Sequence, residues 1–131
     1  MPINSDGIYY LTPADFYSIA EDVLGRAPDV RDRHLLHAAA ARPMLSAFGH
    51  EAYPTLLDKA AALLHALAAH HLFFDGNKRT ATAATTRFLM VNGLRPTWDD
   101  AVMQQYVLEI AQNLHEVEAI ATWLGEHTQK E

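Results

Sequence analysis

A chain of 131 residues, half of them apolar, amounts to about one domain, with enough interior to fold without staples and too little polarity for disorder to be the default. Its formal net charge of −6 argues against a general nucleic-acid binder, and with no cysteine it has neither disulfides nor thiolate chemistry, which fits a reducing cytoplasm. The opening Met1-Pro2-Ile3-Asn4-Ser5-Asp6 has no basic region and no apolar run, so no signal peptide is expected. The longest apolar stretch, around 60–69, is interrupted by His65 and is too short to span a membrane.

Ile8-Tyr9-Tyr10-Leu11 reads as a short strand or an extended lead-in. Thr12-Pro13-Ala14-Asp15 then starts a helix, with Thr12 as N-cap, Pro13 in the first turn and Asp15 near the positive end. Phe16, Ile19, Ala20, Val23 and Leu24 share one face of it, and Gly25 stops it. A second helix is expected over 30–41, before Pro43. The aperiodic segment 43–53 reads as a loop or short flap. From Pro54 or Thr55 to about His71 the leucines and alanines spread over more than one face, as in a helix buried at the centre of a bundle. A helix over 77–91 stops at Asn92-Gly93, and two more fit 99–113 and 115–125. The expected fold is one all-α domain over 1–131. Trp98, Trp123, Tyr106 and Ile110 read as core or helix-packing residues.

Between the two strongest helical patterns lies His71-Leu72-Phe73-Phe74-Asp75-Gly76-Asn77-Lys78-Arg79. A turn that opens a helix presents free backbone N–H groups and partial positive charge, a natural seat for phosphate. His71 beside that seat is a candidate general base, although a histidine at a helix C-terminus is also commonly structural. Asp75 is a candidate Mg²⁺ ligand, or an ordinary capping aspartate. Gly76 permits close backbone approach, and Asn77 can donate to a phosphate or cap the helix. Lys78 and Arg79 would neutralise phosphate charge, where on an average helix they would form a solvated face. Phe73 reads as an anchor pinning the loop to the core.

In residue types and register this stretch resembles the loop of the Fic/Doc superfamily, His-Pro-Phe-x-Asp/Glu-Gly-Asn-Gly/Lys-Arg, with Leu72 in place of the common proline. The register selects His71 over His70. Weaker matches run along the chain in the family's order: Arg31-Asp32, Ala41-Arg42-Pro43, Phe48-Gly49, Tyr53-Pro54, Lys59-Ala60-Ala61 and Asn92-Gly93. The resemblance implies a Fic-type helical bundle in which a central buried helix leads into the motif loop and a short flap lies nearby. It implies His71 as the base that activates a target hydroxyl, Asp75 as the metal residue, and Gly76, Asn77, Lys78 and Arg79 as the phosphate site for ATP with Mg²⁺.

Lys78 matches the Doc branch, where AMP-transferring relatives commonly carry glycine, and Thr82 stands where those relatives carry a second arginine. Both leanings imply transfer of the γ-phosphate to a Ser/Thr hydroxyl of a cytoplasmic protein, in the family a translation elongation factor (EF-Tu), arresting translation and growth. AMP transfer by the same His71 and a catalytically idle binding module are the alternatives. No inhibitory Ser/Thr-x-x-x-Glu-Gly/Asn helix is evident within the chain, so restraint is expected from outside, and the resemblance implies a Phd-like antitoxin as the partner. Neither direct nucleic-acid binding nor membrane association is implied. The remaining histidines carry little: on a helix His65 lies roughly 140° from His70 and about 120° from His71, so the three are not expected to converge. His34 and His37 share a face without an evident third ligand. No P-loop pattern is present.

Overall fold

The computed structural model describes residues 6–131. Six helices carry the fold: α1 (Pro13–Leu24), α2 (Arg33–Ala41), α3 (Leu56–Ala69), α4 (Asn77–Val91), α5 (Asp100–Ala111) and α6 (Val117–Glu126). Two small antiparallel pairs complete it, β1 (Ser46–Ala47) with β2 (His50–Glu51), and β3 (Leu94–Pro96) with β4 (Thr128–Lys130). Helix α3 is the hub and packs against α4, α5 and α6. Nine of its residues are buried, so the expected central helix is in place.

The helix starts follow their local chemistry. Thr12 and Asp15 form a reciprocal capping box at α1, and Thr55 with Asp58 repeats it at α3. Gly25 ends α1 in the left-handed region, at φ 71. Several boundaries differ from the sequence reading, among them the end of α5, at Ala111 and not Asn113. Helix α2 begins at Arg33 instead of Val30, because Asp32 accepts from the Leu35 N–H as N-cap and Val30 stays extended in a bridge with Phe73. Helix α3 ends at Ala69, and His70 caps it in an extended conformation. The last helix begins at Val117, two residues later than expected.

The segment 8–11 is an extended lead-in tied down by Asn92, whose carboxamide accepts from the Tyr9 N–H and donates to the Tyr9 carbonyl, each at 2.9 Å. The segment 43–53 forms a 3-10 turn (Arg42–Met44) followed by the β1–β2 hairpin. The β3–β4 pair has no periodic signal in its three-residue strands and is a feature the sequence reading lacks. Tyr106 and Ile110 are buried, and Trp123 stacks on Tyr106 with centroids 4.2 Å apart and on His127 at 3.9 Å.

One charge sits inside this core. Lys59, only 1% exposed on α3, gives its ammonium to Tyr53 O at 2.6 Å, Glu51 Oε1 at 2.9 Å and Pro43 O at 3.4 Å. A buried ammonium is tolerated only when paired and hydrogen-bonded, and these acceptors come from both stems of the hairpin. The lysine thus fastens the hairpin to the central helix.

Candidate active site

The polypeptide leaves α3 at His70 and crosses to α4 through residues 71–76, which are held by backbone bonds to the α1–α2 connection. Leu72 O accepts from the Arg31 N–H at 2.8 Å and the Asp32 N–H at 3.2 Å, and the Phe74 N–H donates to Asp29 O at 3.1 Å. Arg31 adds a guanidinium bond to His71 O at 3.2 Å. Leu72 and Phe73 are buried, and burial of each side chain contributes about 1.5–3 kcal/mol. Phe73 is therefore the anchor its position suggested, while Phe74 beside it is 70% exposed.

Asn77 closes the loop from the other side. Its Oδ1 accepts from the Phe73 N–H at 3.0 Å and its Nδ2 donates to Phe73 O at 2.8 Å. The carboxamide is thus spent on loop geometry, leaving the Asn77 backbone N–H as its contribution to the helix end. Gly76 is the N-cap, at φ 76. A Cβ there would lie 3.0 Å from Leu24 Cδ2, so both the left-handed conformation and the space require glycine. No side chain caps α4, in contrast to α1, α2, α3 and α5, so its first-turn N–H groups are left without a side-chain acceptor.

His71 lies two residues beyond the end of α3, outside any helix or strand and exposed, not on the helix end as the sequence reading placed it. Asp75 Oδ1 accepts from the Gly76 N–H at 2.8 Å, and its Oδ2 pairs with Arg26 Nη2 at 3.3 Å, both side chains more than half exposed. Lys78 and Arg79 are exposed on the first turn of α4. Arg79 Nη1 donates to Val23 O at the C-terminal turn of α1, at 3.4 Å, where a helix end favours a cation. Loop and helix start therefore bring together an imidazole, a carboxylate, two cations and N–H donors that no side chain caps. Arg26 and Arg31 join them from the α1–α2 connection. Their partners lie 49 and 40 residues away in sequence, and no local pattern announces such contacts.

The donor set at Asp75 suits Mg²⁺ arriving with a triphosphate. That ion takes one or two carboxylates and fills the rest of its shell with phosphate oxygens and water. A lone, largely exposed carboxylate offers too little to hold a bare ion. Among the described residues no group of three or more His, Asp or Glu is placed to hold a metal. His65 and His70 do meet, contrary to their helical angle, because His70 leaves the helix; their rings are in edge contact at 6.4 Å. His65 Nδ1 is 2.9 Å from Arg42, and burial first, then Arg42 and His70, push its pKa below the ordinary histidine value.

Beside the cations a cavity of about 500 Å³ runs between α4 and α5, with Lys78 and Arg79 at one end and mostly apolar walls beyond. Neither His71 nor Asp75 lines it.

A family model described as Fic/DOC family matches residues 10–89, a span that contains the whole loop and α3. The chain is also 42% identical over 118 residues to "Toxin Doc" of Mycolicibacterium smegmatis, covering 88% of this chain and 91% of that protein. The chain belongs to the Fic/DOC family. Its six helices and short strands form the all-α Fic fold that the motif implied. Among the described residues no helix is long and apolar enough to cross a membrane.

Proposed function

We propose that this Fic/DOC protein is a Doc-like toxin that transfers the γ-phosphate of ATP to a serine or threonine hydroxyl of a cytoplasmic protein. The observation that carries the reading is the uncapped N-terminus of α4, with His71 and Asp75 on the loop that leads into it and Lys78 and Arg79 on its first turn. The identity to a Doc toxin over most of both chains supports the toxin assignment. By the same resemblance the target is a translation elongation factor (EF-Tu), and modification arrests translation and growth. Restraint comes from a Phd-like antitoxin.

In this reading the phosphates lie on the N–H groups of Asn77, Lys78 and Arg79, with Gly76 leaving room for their approach. His71 takes the proton of the incoming hydroxyl as its oxygen bonds to the γ-phosphorus. The bond from that phosphorus to the β,γ-bridging oxygen breaks, and ADP leaves. Lys78 and Arg79 offset the charge spread over the transferring group. Asp75 would hold Mg²⁺, whose chemistry when bound is to neutralise and orient the phosphate oxygens. Asp75 must then release Arg26, an exposed pair of small net worth, so the exchange is cheap.

The test is incubation of the protein with α- and γ-labelled ATP in a bacterial lysate. Label from the γ position on a discrete protein supports the reading. Label from the α position identifies AMP transfer by the same His71. No measurable affinity for ATP leaves a binding module without catalysis.

A further inference from the structure

We propose that Phe74 is the residue against which the target protein packs an apolar side chain beside its acceptor hydroxyl. This rests on the phosphotransfer reading and adds to it a contact that selects the target. Among the described residues, Phe74 is the one exposed large apolar side chain in the motif loop, at 70%. It lies three residues from His71 and next to Asp75. Three residues of fully extended chain span at most about 11 Å, which bounds the Cα separation of His71 and Phe74.

The fold does not ask for a phenylalanine at this position. Leu72 and Phe73 supply the burial that pins the loop, and Asn77 clasps the Phe73 backbone. Phe74 contributes its N–H, bonded to Asp29 O at 3.1 Å, and any residue but proline would make that bond. Its ring stacks on no other aromatic ring among the described residues. The ring is thus presented to solvent from a backbone that is already held. With only two side-chain torsions it gives up little freedom on binding, and its apolar area is still to be buried.

The reaction decides what arrives there. A hydroxyl that reaches His71 is carried on a chain, and in an extended segment the residues one and two positions away lie about 3.3 and 7 Å along it. Those neighbours are the ones that pass over Phe74. An apolar side chain there buries area against the ring and leaves no polar group unpaired. A carboxylate would be desolvated without a partner. A cation, which a ring face can also attract, is opposed by Arg26, Arg31, Lys78 and Arg79 on and around the loop. The partner that fits is a serine or threonine with an apolar residue within two positions on either side.

The experiment takes the protein labelled from γ-labelled ATP in a bacterial lysate, purifies it and uses it as substrate for the full chain. Phe74→Ser should raise KM for that protein by about tenfold or more, with kcat and calorimetric ATP affinity within about twofold of wild type. Phe74→Leu, which restores apolar area without the ring, should recover most of the loss. Mapping the modified residue should find an apolar side chain within two positions. Changing that target residue to serine should cost wild type the same factor and cost Phe74→Ser little more, the signature of a direct contact. The target-side change carries the test should Phe74→Ser fail to fold. An unchanged KM, an equal loss of ATP affinity, or an acceptor with only polar neighbours overturns the contact while leaving the phosphotransfer reading in place. So does a halving of solution mass in Phe74→Ser, which would give the ring to a second copy of the chain. Wild type that labels no protein removes that reading, and the contact with it.

Discussion

The motif loop, 71–79, and the β1–β2 hairpin, 46–51, are both short connections beside the central helix, and they are held in opposite ways. The loop is fixed along its length. Leu72 O takes two N–H groups, Phe73 is buried and clasped by Asn77, the Phe74 N–H is bonded to Asp29 O, and Asp75 accepts from Gly76. The hairpin is fixed at its stem, through Lys59 and the Ala52 N–H to Leu45 O bond. Its strand residues are all exposed, and Phe48 at the tip is 100% exposed with φ 54. The difference teaches where geometry is needed. The proposed chemistry on a phosphate demands groups placed within fractions of an ångström, whereas the exposed tip buries nothing among the described residues.

The largest break in this comparison comes from removing chemistry from the held loop while leaving the hold intact. His71→Ala should lower transfer by about 10²–10⁴ with an unchanged melting temperature, since the side chain is exposed. Asp75→Asn should also lose most activity and fail to recover fully at high Mg²⁺, with little thermal cost. A large drop in melting temperature with normal specific activity would make Asp75 a structural cap instead. Labelled-phosphate transfer and thermal unfolding, run together, read both.

Next in size is the hold itself. Asn77→Ala removes both bonds to Phe73, at about 1 kcal/mol each, and should cost about 2 kcal/mol of stability together with activity. Denaturant unfolding measures the first. An Asn77→Ala protein of full stability would mean that the clasp is not what shapes the loop.

Much of the fold could be read from the chain because it rests on local chemistry. Thr12 with Asp15, Gly25 and the many-faced apolar run of α3 act within a few residues of themselves, and each did what its type and spacing require. The register of His71, Asp75, Gly76, Lys78 and Arg79 was equally legible, and the structure gathers them at one helix start. What stayed hidden depends on tertiary contact. Val30 looks helical by periodicity, yet its backbone pairs with Phe73. Asn77 could have capped, bound phosphate or clasped, and only the path of Phe73 decides among these. Lys59 did leave a signal, a lone cation within an apolar helix, but its three acceptors lie in a segment without periodicity.

A smaller effect should separate hairpin from loop. Lys59→Met keeps length and apolar packing but removes the stem anchor. Replacement of a buried charge by an apolar isostere is often near neutral, so global stability should change by no more than about 1 kcal/mol. Hydrogen exchange and protease cleavage should rise at 46–52 and stay unchanged at 71–79. Equal loosening of both segments would show that they are one cooperative unit.

The smallest effect is one of pH. His65 is kept neutral by burial, by Arg42 and by His70, against an opposing pull from Glu116. Its folded pKa lies below the unfolded value of about 6.5. The unfolded chain therefore binds more protons as the pH falls through that range, and stability declines from there until the folded group also titrates. His65→Asn should flatten the melting-temperature profile between about pH 7 and 5 relative to wild type. An unchanged slope would assign the decline to other histidines.

The central claim is that the held loop receives the γ end of ATP. Intact-protein mass spectrometry of the target after incubation with ATP and Mg²⁺ tests it most directly. The account predicts an added phosphoryl group, with ADP released and no adduct from the His71→Ala protein. An added AMP group as the main product would contradict it.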